Sequence, residues 1–233
     1  MESARLITLY LLIIMLSGCT STYYATNVDS LAAPDATQKN RYILLPGMEE
    51  VHEDDLQFME FAKYVNKILQ QKGFIKAPSS DSADIAIALS YSVGDPEFYN
   101  YSYTVPTWGQ TGVAASNTVG TVSAFGNTAT YSGTTTYTPT YGITGSQTHT
   151  GTDILYYRDV RLAAYDLTSY SESQPMRQVW ISKAYSVGSS GDLRKVFPYI
   201  LVSMKNLIAT NSGKKIRVTL KENDKAVQEL LTP

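Results

Sequence analysis

The stretch "RYILLPGMEEVHEDDLQFMEFAKYVNKILQQKGFIKAPSSDSADIAIALSYSV", Arg41 to Val93, reads as strand, helix, strand. Arg41 to Gly47 is a short β-prone run closed by Pro-Gly. Beyond it, apolar residues fall at 58, 61, 62, 65, 68 and 69, the spacing of an amphipathic helix. The helix has an acidic start and Lys72 before Gly73 at its end, which suits the helix dipole and the usual C-terminal glycine. In "ADIAIALSYSV", residues Ile85, Ile87, Leu89, Tyr91 and Val93 share one side of a strand, with Ala86 and Ala88 on the other. Small residues there predict that the helix packs closely against the alanine side.

Working outward, "ILYYRDVRLAAYDL" and "RQVWISKAYSV" are two strand-like runs joined by the polar loop "TSYSESQP", a hairpin. Apolar residues at 193, 196, 197, 200, 201, 204, 207 and 208 form a second helical stripe, and Pro198 within it predicts a helix start near Phe197 or a kink. "KKIRVTL" supplies a last strand, and the final dozen residues a frayed helix. The fold class is α+β: a mainly antiparallel sheet with two helices packed on one face and a long Tyr/Thr/Gly-rich insertion. The expected organisation is a signal peptide at 1–18, a flexible tether at 19–40, one domain at 41–220 with an uncharged insertion at 98–152, and a tail at 221–233.

The N-terminus carries the most specific signal. An apolar run from Leu6 to Leu16 follows Arg5, too short for a spanning helix, which takes roughly 20 residues. Leu16-Ser17-Gly18-Cys19 resembles the lipobox of bacterial lipoproteins. The resemblance implies cleavage before Cys19 and attachment of lipid to its thiol, and two or more acyl chains anchor a protein stably. Thr20 is not the Asp that retains such proteins at the inner membrane, so the outer membrane, facing the periplasm, is the expected site. Cys19 is the single cysteine, so no disulfide is expected.

The lipobox, the strand and helix ending in "QKGF", and "ADIAIALSYSV" together resemble a domain-of-unknown-function family of small bacterial envelope lipoproteins. That family continues with a variable Gly- and aromatic-rich stretch and a hairpin with an Asp on its first strand and a Trp followed by Ala on its second. Asp166 in "AAYDL", Trp180 and Ala184 in "VWISKA" match that pattern. The middle insertion here departs from it in length. The resemblance implies a fold and a location and no activity.

Net charge −2 over 233 residues offers no basic footprint for nucleic acid. His52 and His149 are the only histidines, and "HEDDL" lacks the second histidine of a zinc-protease helix. "NSGKK" lacks the upstream glycine of a phosphate loop, and "VGSSGD" lacks the nucleophile-elbow spacing. Glu49, Glu50, His52, Glu53, Asp54 and Asp55 are read as carboxylates favoured at a helix N-terminus rather than as metal ligands. The basic run Lys214, Lys215, Arg217, Lys221 and Lys225 reads as a solvated strand face. No catalytic residue, metal or cofactor is expected.

Tyrosine is the compositional outlier, with 18 residues against 6 Phe and 2 Trp, while charged residues are 17%. Phe98 to Thr152 contains no Lys, Arg, Asp or Glu. Tyr99, Tyr101 and Tyr103, then Tyr131, Tyr137 and Tyr141, all fall on odd positions, which puts each group on one side of its strand. The expectation is strand at "FYNYSYTV" and toward "DILYY", with a mobile Gly/Ser-rich middle that Pro139 prevents from being one continuous central strand. These six tyrosines are the candidate binding residues. The expected role is a non-catalytic envelope module bound to the membrane through Cys19, with a protein or glycan partner. A peptidoglycan binder is the alternative, and an envelope hydrolase ranks last.

Overall fold

The computed structural model describes residues 22–170 and 175–232. It has eight strands: β1 (Tyr23–Ala32), β2 (Arg41–Pro46), β3 (Ile75–Lys76), β4 (Ile85–Val93), β5 (Glu97–Phe125), β6 (Thr128–Asp166), β7 (Gln178–Gly188) and β8 (Ile216–Lys221). Three α-helices accompany them: α1 (Leu56–Gln71), α2 (Leu193–Met204) and α3 (Lys225–Leu231). The chain divides into two units, Phe98–Asp153 forming one and the residues on either side of it the other.

In the larger unit the strand order is β3-β2-β4-β6-β7-β1-β8. The neighbours are antiparallel, except that β2 runs parallel to β3 and β4. Mixed α/β with a mainly antiparallel sheet is therefore the class, as the residue pattern implies. The parallel pairing of β2 and β4 follows from the intervening helix, because two parallel neighbours cannot be joined by a tight turn.

The core follows the period-two and helical patterns. Ile85, Ile87 and Leu89 are fully buried, as are Val160, Leu162 and Ala164 on β6 and Val28 on β1. α1 contributes Phe58, Phe61, Val65, Ile68 and Leu69, and α2 contributes Val196, Phe197, Ile200, Leu201 and Met204. The Phe61 and Phe197 rings stack 4.0 Å apart, and Phe61 meets Tyr91 edge-on at 4.8 Å. Tyr91 lies on the isoleucine side of β4, so α1 covers that side and not the alanine side expected from the sequence. The small residues serve a different approach: a Cβ on Gly47 would come within 3.2 Å of the Ala88 methyl and would collide with the Ser90 hydroxyl, so it is the backbone after β2 that comes close there.

Helix ends are set by local chemistry. Asp55 caps α1, its carboxylate accepting from the amides of Gln57 and Phe58 at 2.9 and 3.0 Å. At the other end Gly73 has φ +89, and the amides of Gly73 and Phe74 donate to the carbonyls of Gln70 and Leu69, a Schellman closure. α2 starts at Leu193 on an Asp192 cap, one turn before Phe197, and carries Pro198 inside it.

Two expected boundaries are corrected. Residues 19–40 are not a tether throughout, since Tyr23–Ala32 is a strand paired with both β7 and β8. Its inward positions are Tyr24, Thr26, Val28 and Ser30, all buried, and the hydroxyls at two of them hide the apolar alternation that marks a strand. Residues 221–233 are not a tail either, because α3 buries Val227 and Leu230 behind an Asp224 cap.

Phe61→Ala is expected to cost about 3–5 kcal/mol, the cost of emptying a close-packed aromatic site. Gly73→Ala is expected to cost about 1–2 kcal/mol, because the left-handed backbone there disfavours a Cβ. Urea midpoints of the purified variants check both.

Candidate functional site

Two places are chemically distinctive: a charged cluster at the end of β6, and the smaller unit formed by β5 and β6. At the first, Asp166 is 2% exposed. Its Oδ1 accepts from Lys39 Nζ at 2.9 Å, from the Thr168 amide at 3.0 Å and from Thr168 Oγ1 at 2.7 Å. Its Oδ2 accepts from Ser169 Oγ at 2.9 Å and from Arg177 Nη2 at 3.1 Å. Arg177 is itself held by Asp35. With donors on both oxygens, Asp166 ties the end of β6 to the chain ahead of β2.

Burial pushes the Asp166 carboxyl up, but the hydrogen bonds from Thr168, Lys39, Ser169 and Arg177 together outweigh it and hold the group well below the usual carboxylate range. A folded value below the unfolded one contributes stability that is complete above about pH 4 and is lost as pH falls toward the folded value. Asp166→Asn is therefore expected to lower stability at neutral pH by about 2 kcal/mol and to flatten the loss of stability below about pH 4. Urea midpoints at neutral and acid pH check this.

Trp180, the other residue of the family pattern, is 1% exposed on β7, opposite Ala164 and against Phe74. Its indole N–H has no partner among the described residues, and the same holds for Arg158 Nε and Thr26 Oγ1. Arg158 is 3% exposed, and burial lowers the guanidinium's pKa. Sequence reasoning missed the polar contacts of Asp166, although Thr168 and Ser169, two and three residues after it, are the residues of an Asx-type turn. Nothing in the sequence distinguished Arg158 from its neighbours.

Among the described residues no group of three or more His, Cys, Asp or Glu could hold a metal ion. Of the acidic run before α1, Asp55 serves as the cap. Cys19 lies outside the described residues.

The smaller unit is a β-hairpin. The Gly/Ser-rich middle is strand rather than mobile loop, and β6 runs through Pro139 as β5 runs through Pro106. Both strands of a lone pair are edge strands, where a missing N–H is tolerated, which is why Pro139 does not interrupt the pairing. The turn is Gly126-Asn127, with φ +63 at Gly126 alone, the type II′ pattern that matches strand twist.

Near its base, Thr152 Oγ1 donates to Asn100 Oδ1 at 2.7 Å, Tyr103 stacks on His149 at 5.5 Å, and a Cβ on Gly145 would meet Thr107. Farther out, Gly109 lies against Thr144, and the Thr118 and Thr135 hydroxyls meet at 2.8 Å. Between Thr107/Gly145 and Gly109/Thr144, β5 advances two residues while β6 advances one. That is a bulge at Trp108.

The bulge inverts the parity of β5 and leaves that of β6 intact. All six candidate tyrosines therefore share one face: Tyr99, Tyr101 and Tyr103 before the bulge, and Tyr131, Tyr137 and Tyr141 on the unbroken strand. They are 38–70% exposed, and Tyr101 and Tyr103 stack at 6.2 Å. Opposite them, every even position of β6 from Thr128 to Thr152 is Thr, Ser or Gly. The β6 half of the ribbon thus has an aromatic face and a hydroxyl face, while β5 beyond the bulge adds Val113, Val119 and Phe125 to the hydroxyl side.

No protein-family profile and no curated protein matches the chain. A PDZ domain protein from Parabacteroides distasonis ATCC 8503 is 11% identical with a TM-score of 0.39, over 91% of this chain and 42% of that one. The lysenin pore is 8% identical with a TM-score of 0.12, over 88% of this chain and 50% of that one. At such scores neither likeness carries an argument.

Proposed function

We propose that this chain is a non-catalytic lipoprotein of the bacterial outer membrane, facing the periplasm and anchored by lipid on Cys19. Its larger unit, with helices packed on one face of a sheet, acts as a rigid body, and its hairpin insertion is the contact surface. The observation that carries the reading is the hairpin itself, an exposed ribbon with six tyrosines on one face and no charge from Phe98 to Thr152. Large exposed aromatic side chains in a contiguous array mark interaction sites.

Cys19→Ser is expected to move the chain from the outer-membrane to the soluble periplasmic fraction and to remove the mass of the acyl groups. A variant that keeps both the membrane location and the added mass defeats the anchored reading. Crosslinking in intact cells then identifies what the hairpin touches.

The alternative reading, a glycan or peptidoglycan binder, is favoured by the row formed by Tyr101, Tyr103 and His149, since stacked aromatic faces suit sugar rings. On that reading, retention on purified cell-wall polymer falls at least tenfold in Tyr101→Ala/Tyr103→Ala, and unchanged retention counts against it.

A further inference from the structure

We propose that hairpins from several copies of this chain pair edge to edge and close into a single β-barrel that crosses a lipid bilayer, so that the assembled protein is a pore. The inference deepens the reading of the hairpin as contact surface and rests on it in one respect: the anchor on Cys19 concentrates copies beside the membrane.

β5 pairs with β6 alone, so within this unit each strand has one ladder and one open edge. An isolated two-stranded hairpin is marginal in water at best. This one holds no core of its own, with Val105, Trp108, Val119, Val122, Phe125 and Ile143 exposed as well as the tyrosines. Natural edges are blocked by charges, especially Lys, and here neither edge has one over the whole uncharged run.

A second copy of the same chain is the partner that fits both edges at once. The β6 edge of one hairpin laid beside the β5 edge of the next continues the up-and-down antiparallel order. Such head-to-tail contacts close into rings, and closure removes every open edge. About eight strands is the smallest barrel and about sixteen enclose water, so roughly four copies close a barrel and roughly eight make a channel.

The two faces select the surroundings. A membrane barrel alternates apolar residues toward lipid with polar residues toward the lumen, and Lys or Arg at the lipid midplane costs about 2–4 kcal/mol. The tyrosine face also carries Ala114, Val122, Pro139 and Ile143, whereas the other face is all hydroxyl and glycine on β6 and mixed on β5, where Val113, Val119 and Phe125 stand among Thr111, Asn117, Thr121 and Ser123. Beyond the bulge each strand has roughly 17 residues, which at ~3.3 Å each and a tilt near 40° rise ~43 Å. That is about the thickness of a bilayer with its headgroups. No described helix is long and apolar enough to cross a membrane, which says nothing of strands.

The test uses the full lipidated chain, extracted in mild detergent, sized by native mass spectrometry and added to planar bilayers. Wild type is expected to form a ring of four or more copies and to give discrete conductance steps. Tyr137→Lys, on the aromatic face, is expected to abolish the steps. Thr136→Lys, one residue along on the hydroxyl face, is expected to keep them and shift their selectivity toward anions. Both variants should keep the wild-type urea midpoint of the larger unit, which separates loss of insertion from loss of folding.

A monomer without conductance at any concentration overturns the barrel, as does equal loss in the two variants. Binding to peptidoglycan by a chain that never conducts overturns it in favour of the glycan reading. A chain that conducts although Cys19→Ser changes neither its membrane location nor its mass refutes the anchor and keeps the barrel. A Cys19-dependent membrane protein that stays monomeric does the reverse.

Discussion

Every backbone N–H and C=O in a strand needs a partner, and this requirement organises the whole chain. In the larger unit it is met at the centre of the sheet by β6 inserted between β4 and β7, and nearer its edge by β1 inserted between β7 and β8. Once those ladders form, the alternation of the strands leaves one side lined with Ile, Leu, Val and Trp, and the stripes of α1 and α2 meet that side through Phe61 and Phe197. In the smaller unit the same requirement is met on one edge of each strand only. The two units are thus opposite answers to one constraint, and the difference separates a scaffold from a surface that seeks a neighbour.

The polar side chains divide in the same way. Asp166 is buried, and five donors from Lys39, Thr168, Ser169 and Arg177 converge on its two oxygens, which makes it a clamp. The hydroxyls of the hairpin are exposed, and several are paired across the strands, as Thr118 is with Thr135.

Much of the scaffold was legible in the sequence because its signals are periodic and local. The helix at 56–71, the β6–β7 hairpin and the strand at 216–221 follow from apolar spacing, caps and turn residues. β1 was not legible, since Thr26 and Ser30 occupy inward positions and make the strand look like linker. α3 was undervalued because seven residues carry too little periodicity to show that Val227 and Leu230 reach the core. In the insertion, the odd spacing of the tyrosines pointed to one side of each strand, but that both groups share one face depends on the bulge at Trp108, and no local signal marks a bulge. Pro139 rules against a strand inside a sheet, whereas a strand with an open edge accommodates it.

The place of β1 in the sheet has a mechanical meaning. Only three residues separate Cys19 from Tyr23, and a chain of that length spans at most about 14 Å even when stretched. A lipid on Cys19 would therefore hold the sheet at the membrane surface instead of on a long leash. Tension from the bilayer would enter along β1, which is paired with β8 from Tyr23 to Val28 and with β7 from Thr26 to Ala32. Pulled lengthwise, those bonds are loaded together in shear rather than unzipped one by one, so the strand that looked like a loose lead is the part of the fold built to bear force.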